Sequence, residues 1–120
     1  MPLRCLLVDD SDAFLETASL LLRREGLRVV GMASSIDEAL RQARALRPDL
    51  VLVDIGLGRE SGFDLARFLV RDDQDADVIL ISAGAEADYA DLIAESPAVG
   101  FLAKSELSAR RIGQILGLAS

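Results

Sequence analysis

Asp49-Leu50-Val51-Leu52-Val53-Asp54 is the stretch whose reading decides the fold. Four apolar residues stand in a row between Pro48 and Gly56, which suits a strand buried on both faces of a parallel sheet; a half-exposed strand would alternate. Asp54 falls at its carboxyl end. In open α/β sheets that edge carries the ligand sites, because the loops there hold polar groups over strands that stay fixed. An acid in this place can also simply mark where the strand meets water. The choice depends on what else the chain brings to the same edge.

On the amino-terminal side, Leu3 to Val8 is apolar apart from Arg4 and runs straight into Asp9, Asp10, Ser11 and Asp12, a first strand ending in acids. The spacing of Phe14, Ala18, Leu21 and Leu22 predicts a helix over 13–25, stopped by Gly26. Leu27 to Ala33 reads as a second strand. Ser35 with Glu38 forms a capping box for a helix that turns Ile36, Ala39, Leu40, Ala43 and Leu46 inward and ends before Pro48. Beyond Asp54, the stretch from Ile55 to Gly62 holds three glycines and reads as a loop. Phe63, Leu65, Ala66, Leu69 and Val70 predict a third helix, followed by a polar turn over 71–75. Asp77 to Ala83, with Val78-Ile79-Leu80-Ile81 at its centre, is a second fully buried strand type and leads into Ser82, Ala83 and Gly84. An acidic fourth helix is expected over 85–95, with Pro97 as its breaker. A fifth strand over 99–103 ends in Lys104, and a fifth helix is expected over 106–116.

Five strands alternating with five helices give a single parallel sheet covered on both faces, a doubly wound α/β fold with strand order 2-1-3-4-5. That order sets the first and third strands side by side at the topological switch point and gathers Asp9, Asp10, Asp54, Ser82 and Lys104 on one edge. The 120 residues, 51% of them hydrophobic, suffice for one core, so residues 1–120 are expected to form one domain. A single cysteine, Cys5, excludes an intrachain disulfide and reads as a core residue. The amino-terminal apolar run is too short for a signal peptide or a membrane span, which predicts a cytoplasmic protein without membrane contact. A net charge of −7 with no Trp and no His argues against direct nucleic-acid binding. The arginines, spread over several helices, read as solvated faces.

The acids at the strand ends repel one another, and a divalent cation is the usual remedy. Every available ligand is an oxygen, which favours a hard ion such as Mg²⁺ over zinc. Beside it, Lys104 offers a mobile positive charge and Ser82 a hydroxyl, a pair suited to a phosphoryl group carried on a carboxylate. Each residue has a plainer role open to it. Asp10, Ser11 and Asp12 are competing N-caps, Ser82 is a common turn hydroxyl, and Lys104 suits a surface. Their coincidence at the carboxyl ends of one sheet favours the joint role.

Over essentially its whole length the chain resembles the receiver domain of two-component response regulators. Val8-Asp9-Asp10 is similar to the family's acidic pair and Val53-Asp54 to its phosphoacceptor. Ile81-Ser82-Ala83 resembles its hydroxyl switch, and Phe101-Leu102-Ala103-Lys104 its aromatic and lysine pair. The resemblance implies a flavodoxin-like fold and a signalling domain rather than an enzyme. It implies that Asp54 accepts phosphate from a histidine kinase, and that Asp10, Asp54 and the Gly56 carbonyl hold Mg²⁺, with Asp9 acting through water. Ser82 and Phe101 would then switch the face made by the fourth helix, fifth strand and fifth helix, where an effector protein or a second copy would bind. By the same resemblance Gly56 and Gly84 flank the water that removes the phosphate and so tune its rate.

Three departures stand out. Ser105 occupies a place where the family commonly has proline after a cis bond, and a cis bond before a non-proline residue costs about 2.5–4 kcal/mol. Gly58 replaces another usual proline, which predicts a looser loop from Ile55 to Gly62. Gly84 is smaller than many of its counterparts. Two competing readings use the same residues. Asp10-Ser11-Asp12 resembles the nucleophile motif of haloacid-dehalogenase-like phosphatases, with Asp10 as nucleophile, but Phe14 replaces the usual Thr or Val and no cap segment is present. A degenerate receiver that binds partners without phosphate would lack a key residue, and none is missing. Residues 27–50 resemble receivers that precede a helix-turn-helix output domain.

Overall fold

The computed structural model describes residues 2–118. In chain order its elements are β1 (Arg4–Val8), α1 (Asp12–Arg24), β2 (Arg28–Ala33), α2 (Ile36–Leu46), β3 (Leu50–Asp54), β4 (Gly56–Leu57), β5 (Glu60–Ser61), α3 (Gly62–Arg71), β6 (Asp77–Ser82), α4 (Ala90–Glu95), β7 (Gly100–Ala103) and α5 (Ala109–Leu116). The five long strands form one parallel sheet in the order β2-β1-β3-β6-β7, which is the expected 2-1-3-4-5 once the small β4–β5 pair is set apart. Within β3, Leu50 and Leu52 face the layer of α1 and α5 while Val51 and Val53 face the layer of α2 and α3. All five β3 residues are buried, as an uninterrupted apolar run requires. Cys5 is buried too, and burial pushes its thiol up to about 12, so it acts as core filling.

Arg4, the one charge in the first apolar run, closes the end of a helix. Its guanidinium donates to the carbonyls of Leu46 and Arg47, both at 2.7 Å, where α2 ends with Arg47 in the left-handed region at φ 47°. These carbonyls have no partner inside the helix, and a cation there also favours the helix dipole. At the other end of α2 the Ser35 hydroxyl accepts from the Glu38 amide at 3.2 Å. Glu38 in turn accepts from Ser34, one residue earlier than a strict capping box.

Three expectations change. The fourth helix does not begin at Ala85: a 3₁₀ turn over Glu86–Tyr89 precedes a short α4. That segment has no side-chain cap and buries no residue, so nothing selects a longer helix. The fifth helix begins at Ala109, because Ser108 caps it by accepting from the Arg111 amide at 3.1 Å. Ahead of it, Lys104–Glu106 form a 3₁₀ turn and Leu107 is buried in the core. The glycine-rich stretch after Asp54 is a hairpin, with Gly56 opposite Ser61 and Leu57 opposite Glu60. Its two turn residues are Gly58 and Arg59, and Gly58 takes the positive φ of 64° that such a tight turn demands of its first central residue. Among the described residues no peptide bond is cis and no helix is long and apolar enough to cross a membrane.

Candidate functional site

The chain leaves β1 toward β2 on one side and enters β3 on the other, so a crevice opens above the carboxyl ends of β1 and β3. Asp9 follows β1, its amide donating to the Ala33 carbonyl at 3.0 Å, and its side chain is completely buried. Asp10 points out of the same turn and is exposed. Asp54 ends β3 and is 7% exposed. One carboxylate oxygen from each of the three lies within 4.8 Å of the others.

Of the caps competing at the start of α1, Ser11 prevails. Its hydroxyl accepts from the Phe14 amide at 3.2 Å, and its own amide donates to Asp9 Oδ1 at 2.8 Å. That bond turns Asp9 inward and leaves Asp10 free.

Lys104 enters from the end of β7. Its Nζ stands 2.6 Å from Asp9 Oδ2 and 3.4 Å from Asp54 Oδ2, with the Phe14 ring centroid 4.3 Å away. The partner of the buried Asp9 Oδ2 is the Lys104 ammonium, a short ion pair at 2.6 Å. Burial works against the charged lysine, but Asp9 and Asp54 outweigh it and hold the ammonium above its ordinary pKa. Asp54 is shifted upward as well, first by burial and then by repulsion from Asp9; Lys104 and the Gly56 amide, which donates to Asp54 Oδ1 at 3.3 Å, offset part of this. Three carboxylate oxygens within 4.8 Å of one another, with no nitrogen or sulfur ligand beside them, are a donor set that suits a hard divalent cation.

Ser82 ends β6, buried, with its hydroxyl accepting from the Gly84 amide at 2.9 Å. Phe101 is already buried in the core on the α2 and α3 side, where Tyr89 also packs. The space beside Gly84 is occupied. A Cβ placed there would stand 3.3 Å from Tyr89 Cε2 and 3.6 Å from its hydroxyl. Tyr89 is a residue that sequence reasoning missed, and its only signal was being the sole tyrosine of the chain. Gly56 is the opposite case, since a Cβ there would meet nothing within 4 Å. Glu60 was also missed: its Oε1 accepts from the Ile36 amide at 3.0 Å and ties the hairpin to the start of α2.

The response regulator receiver domain model matches residues 5–116. The chain belongs to the receiver domain family. Among curated relatives, the response regulator GacA of Pseudomonas viridiflava is 33% identical over 103 residues, covering 85% of this chain and 48% of that protein. A protein-glutamate methylesterase/protein-glutamine glutaminase of Syntrophus aciditrophicus is 33% identical over 112 residues, covering 90% of this chain and 32% of that enzyme. The chain thus spans about half the length of GacA-type relatives, or less. Among solved structures, the signal receiver domain of a NarL response regulator from Mycobacterium tuberculosis superposes with a TM-score of 0.84 at 26% identity, covering 97% of this chain and 94% of that one. A LuxR-family response regulator from Aurantimonas sp. SI85-9A1 gives 0.83 at 27% identity, over 98% of this chain and 88% of that one.

Proposed function

We propose that this receiver domain takes a phosphoryl group from the phosphohistidine of a histidine kinase onto Asp54 and passes the change to a partner through α4, β7 and α5. The observation that carries this reading is the clustering of Asp9, Asp10 and Asp54 oxygens within 4.8 Å, with the Lys104 ammonium reaching two of the three acids. An Asp54 oxygen attacks phosphorus, the phosphorus–nitrogen bond breaks, and its electron pair returns to the imidazole, which picks up a proton. Lys104 neutralises charge on the transferred oxygens. Asp10, Asp54 and the Gly56 carbonyl would hold Mg²⁺, with Asp9 acting through water. The ion, when bound, offsets the repulsion between the incoming anion and the acids.

Phosphate brings a charge of about −1.5 to −2 and strong acceptors for the Ser82 hydroxyl. Ser82 now serves the Gly84 amide, so moving toward the phosphate means giving up that turn bond. A cavity of about 350 Å³ beside Gly84, Phe101 and Arg111 lies along the switching face, where the change would reach an effector or a second copy. These events place the domain in the cytoplasm, where kinases of this class present their phosphohistidine.

The test is intact-mass spectrometry after incubation with acetyl phosphate and Mg²⁺. The wild type should gain one phosphate, while Asp54→Asn and metal-free wild type should gain none. Phosphate on Asp54→Asn that is lost in Asp10→Asn would replace this reading with the phosphatase-like one.

A further inference from the structure

Phe14 lies in the first turn of α1, placed there by its amide bond to the Ser11 cap, and packs against the core on the α1 and α5 side. Its ring centroid is 4.3 Å from Lys104 Nζ. Resting on the receiver chemistry above, we propose that Phe14 is a positioning residue for Lys104, seating its ammonium against Asp9 and Asp54 and aiming it at the phosphoryl group.

The physical need is clear from the lysine itself. A strongly hydrated ammonium on a four-carbon stem samples many rotamers, and water competes for it wherever its side is open. Two sides are closed by Asp9 at 2.6 Å and Asp54 at 3.4 Å. The ring closes another. An aromatic face attracts the charge through its quadrupole without taking up a proton donor by a lone pair, so an N–H stays free for an incoming phosphoryl oxygen. An aliphatic residue at position 14 would keep the packing and lose the attraction. Position, aromaticity and charge therefore make separable contributions.

The experiment compares wild type with Phe14→Leu, Phe14→Tyr and Phe14→Trp. In the NMR spectrum of the wild type the Lys104 ε-methylene protons should be displaced by the ring, and this displacement should vanish in Phe14→Leu and persist in Phe14→Trp. With saturating acetyl phosphate and Mg²⁺, the maximal rate of phosphate uptake should fall about five-fold in Phe14→Leu, equivalent to about 1 kcal/mol. Phe14→Tyr and Phe14→Trp should stay within about two-fold of wild type. Mg²⁺ affinity should be unchanged throughout. Equal rates in wild type and Phe14→Leu, or equal losses in Phe14→Leu and Phe14→Trp, would overturn the assignment, as would an undisplaced Lys104 resonance in the wild type. A wild type that takes up no phosphate would overturn the receiver chemistry instead, and the resonance comparison would still decide how Lys104 is seated.

Discussion

Gly62→Ala tests how tightly the fold holds β3, the strand that ends in Asp54. A Cβ at position 62 would lie 2.1 Å from the Asp54 carbonyl oxygen and 2.8 Å from both Asp54 C and Ile55 Cα. Ordinary contact begins at 3.4 Å, so the oxygen and the new methyl must separate by about 1.3 Å. Neither neighbour is a side chain that can rotate away. One is the end of the fully buried β3, and the Gly62 amide itself donates to the Ile55 carbonyl at 2.9 Å, so the two segments cannot part without losing that bond. Gly62 does not adopt a positive φ, so the contact alone is at issue. Overpacking against fixed backbone belongs at the upper end of its range, about 3 kcal/mol. For a chain of this size that lowers Tm by about 10 °C. Urea unfolding monitored by circular dichroism measures it, with Gly56→Ala as the control, because a methyl there meets nothing within 4 Å. Because the displaced carbonyl belongs to Asp54, the surviving folded Gly62→Ala should also take up phosphate more slowly than wild type. A loss below about 0.5 kcal/mol, equal to that of the control, would refute the close approach of α3 to β3.

Burial and then Asp9 hold the Asp54 carboxyl above its ordinary value, so the folded state keeps that proton better than the unfolded state and stability falls as pH rises from 3.8 through the shifted value. Asp54→Asn should therefore raise Tm at neutral pH in metal-free buffer and leave it unchanged near about pH 3, and parallel melting curves at both would contradict this. Gly84→Met should slow release of phosphate from the purified phosphoprotein about ten-fold, a change of about 1.4 kcal/mol, with Mg²⁺ affinity unaltered. Because Tyr89 already stands beside Gly84, the methionine must displace the ring, and unchanged or faster release would show water arriving by another path. Arg4→Met should cost about 2 kcal/mol in urea unfolding through loss of two charged bonds to the end of α2, and an unchanged midpoint would show water capping those carbonyls equally well.

The centre of the sheet was legible because β1, β3 and β6 are apolar runs that need both faces covered, a demand few other architectures meet. Asp54, Asp9 and Asp10 were legible for a related reason: a charge directly after such a run can only lie at the sheet edge. What could not be read was set by local competition among weak signals. Ala85 to Glu95 has helical composition, yet it buries no residue fully, only half-burying Tyr89 and Ile93, and has no side-chain cap, so a 3₁₀ turn costs little there. Glu106 and Ser108 both stand where a helix could begin, and the hydroxyl wins by reaching the Arg111 amide. The contacts of Phe14 with Lys104 and of Glu60 with Ile36 join segments far apart in the chain, and no spacing announces them; Tyr89 reaches back only to Gly84, but across an irregular turn that no periodicity describes.

The hairpin after Asp54 shows how a missing constraint is replaced. Proline would stiffen the turn by fixing φ, whereas Gly58 leaves the unfolded chain freer and must be held by contacts. The contacts are present on three sides. Gly56 and Leu57 pair with Ser61 and Glu60, Leu57 is buried in the core, and the Glu60 carboxylate takes the otherwise unpartnered Ile36 amide at the start of α2. The turn itself approaches the acids, since a Cβ on Gly58 would lie 3.7 Å from Asp10 Oδ2. Glycine here does what proline could not, taking a positive φ of 64°, while the Asp10 approach itself would leave room for a Cβ. The Gly56 carbonyl is thus fixed from outside by a two-residue ladder and a helix N-terminus. Loosening either should reach the acid cluster before it reaches the sheet, because β3 is secured on both flanks by β1 and β6.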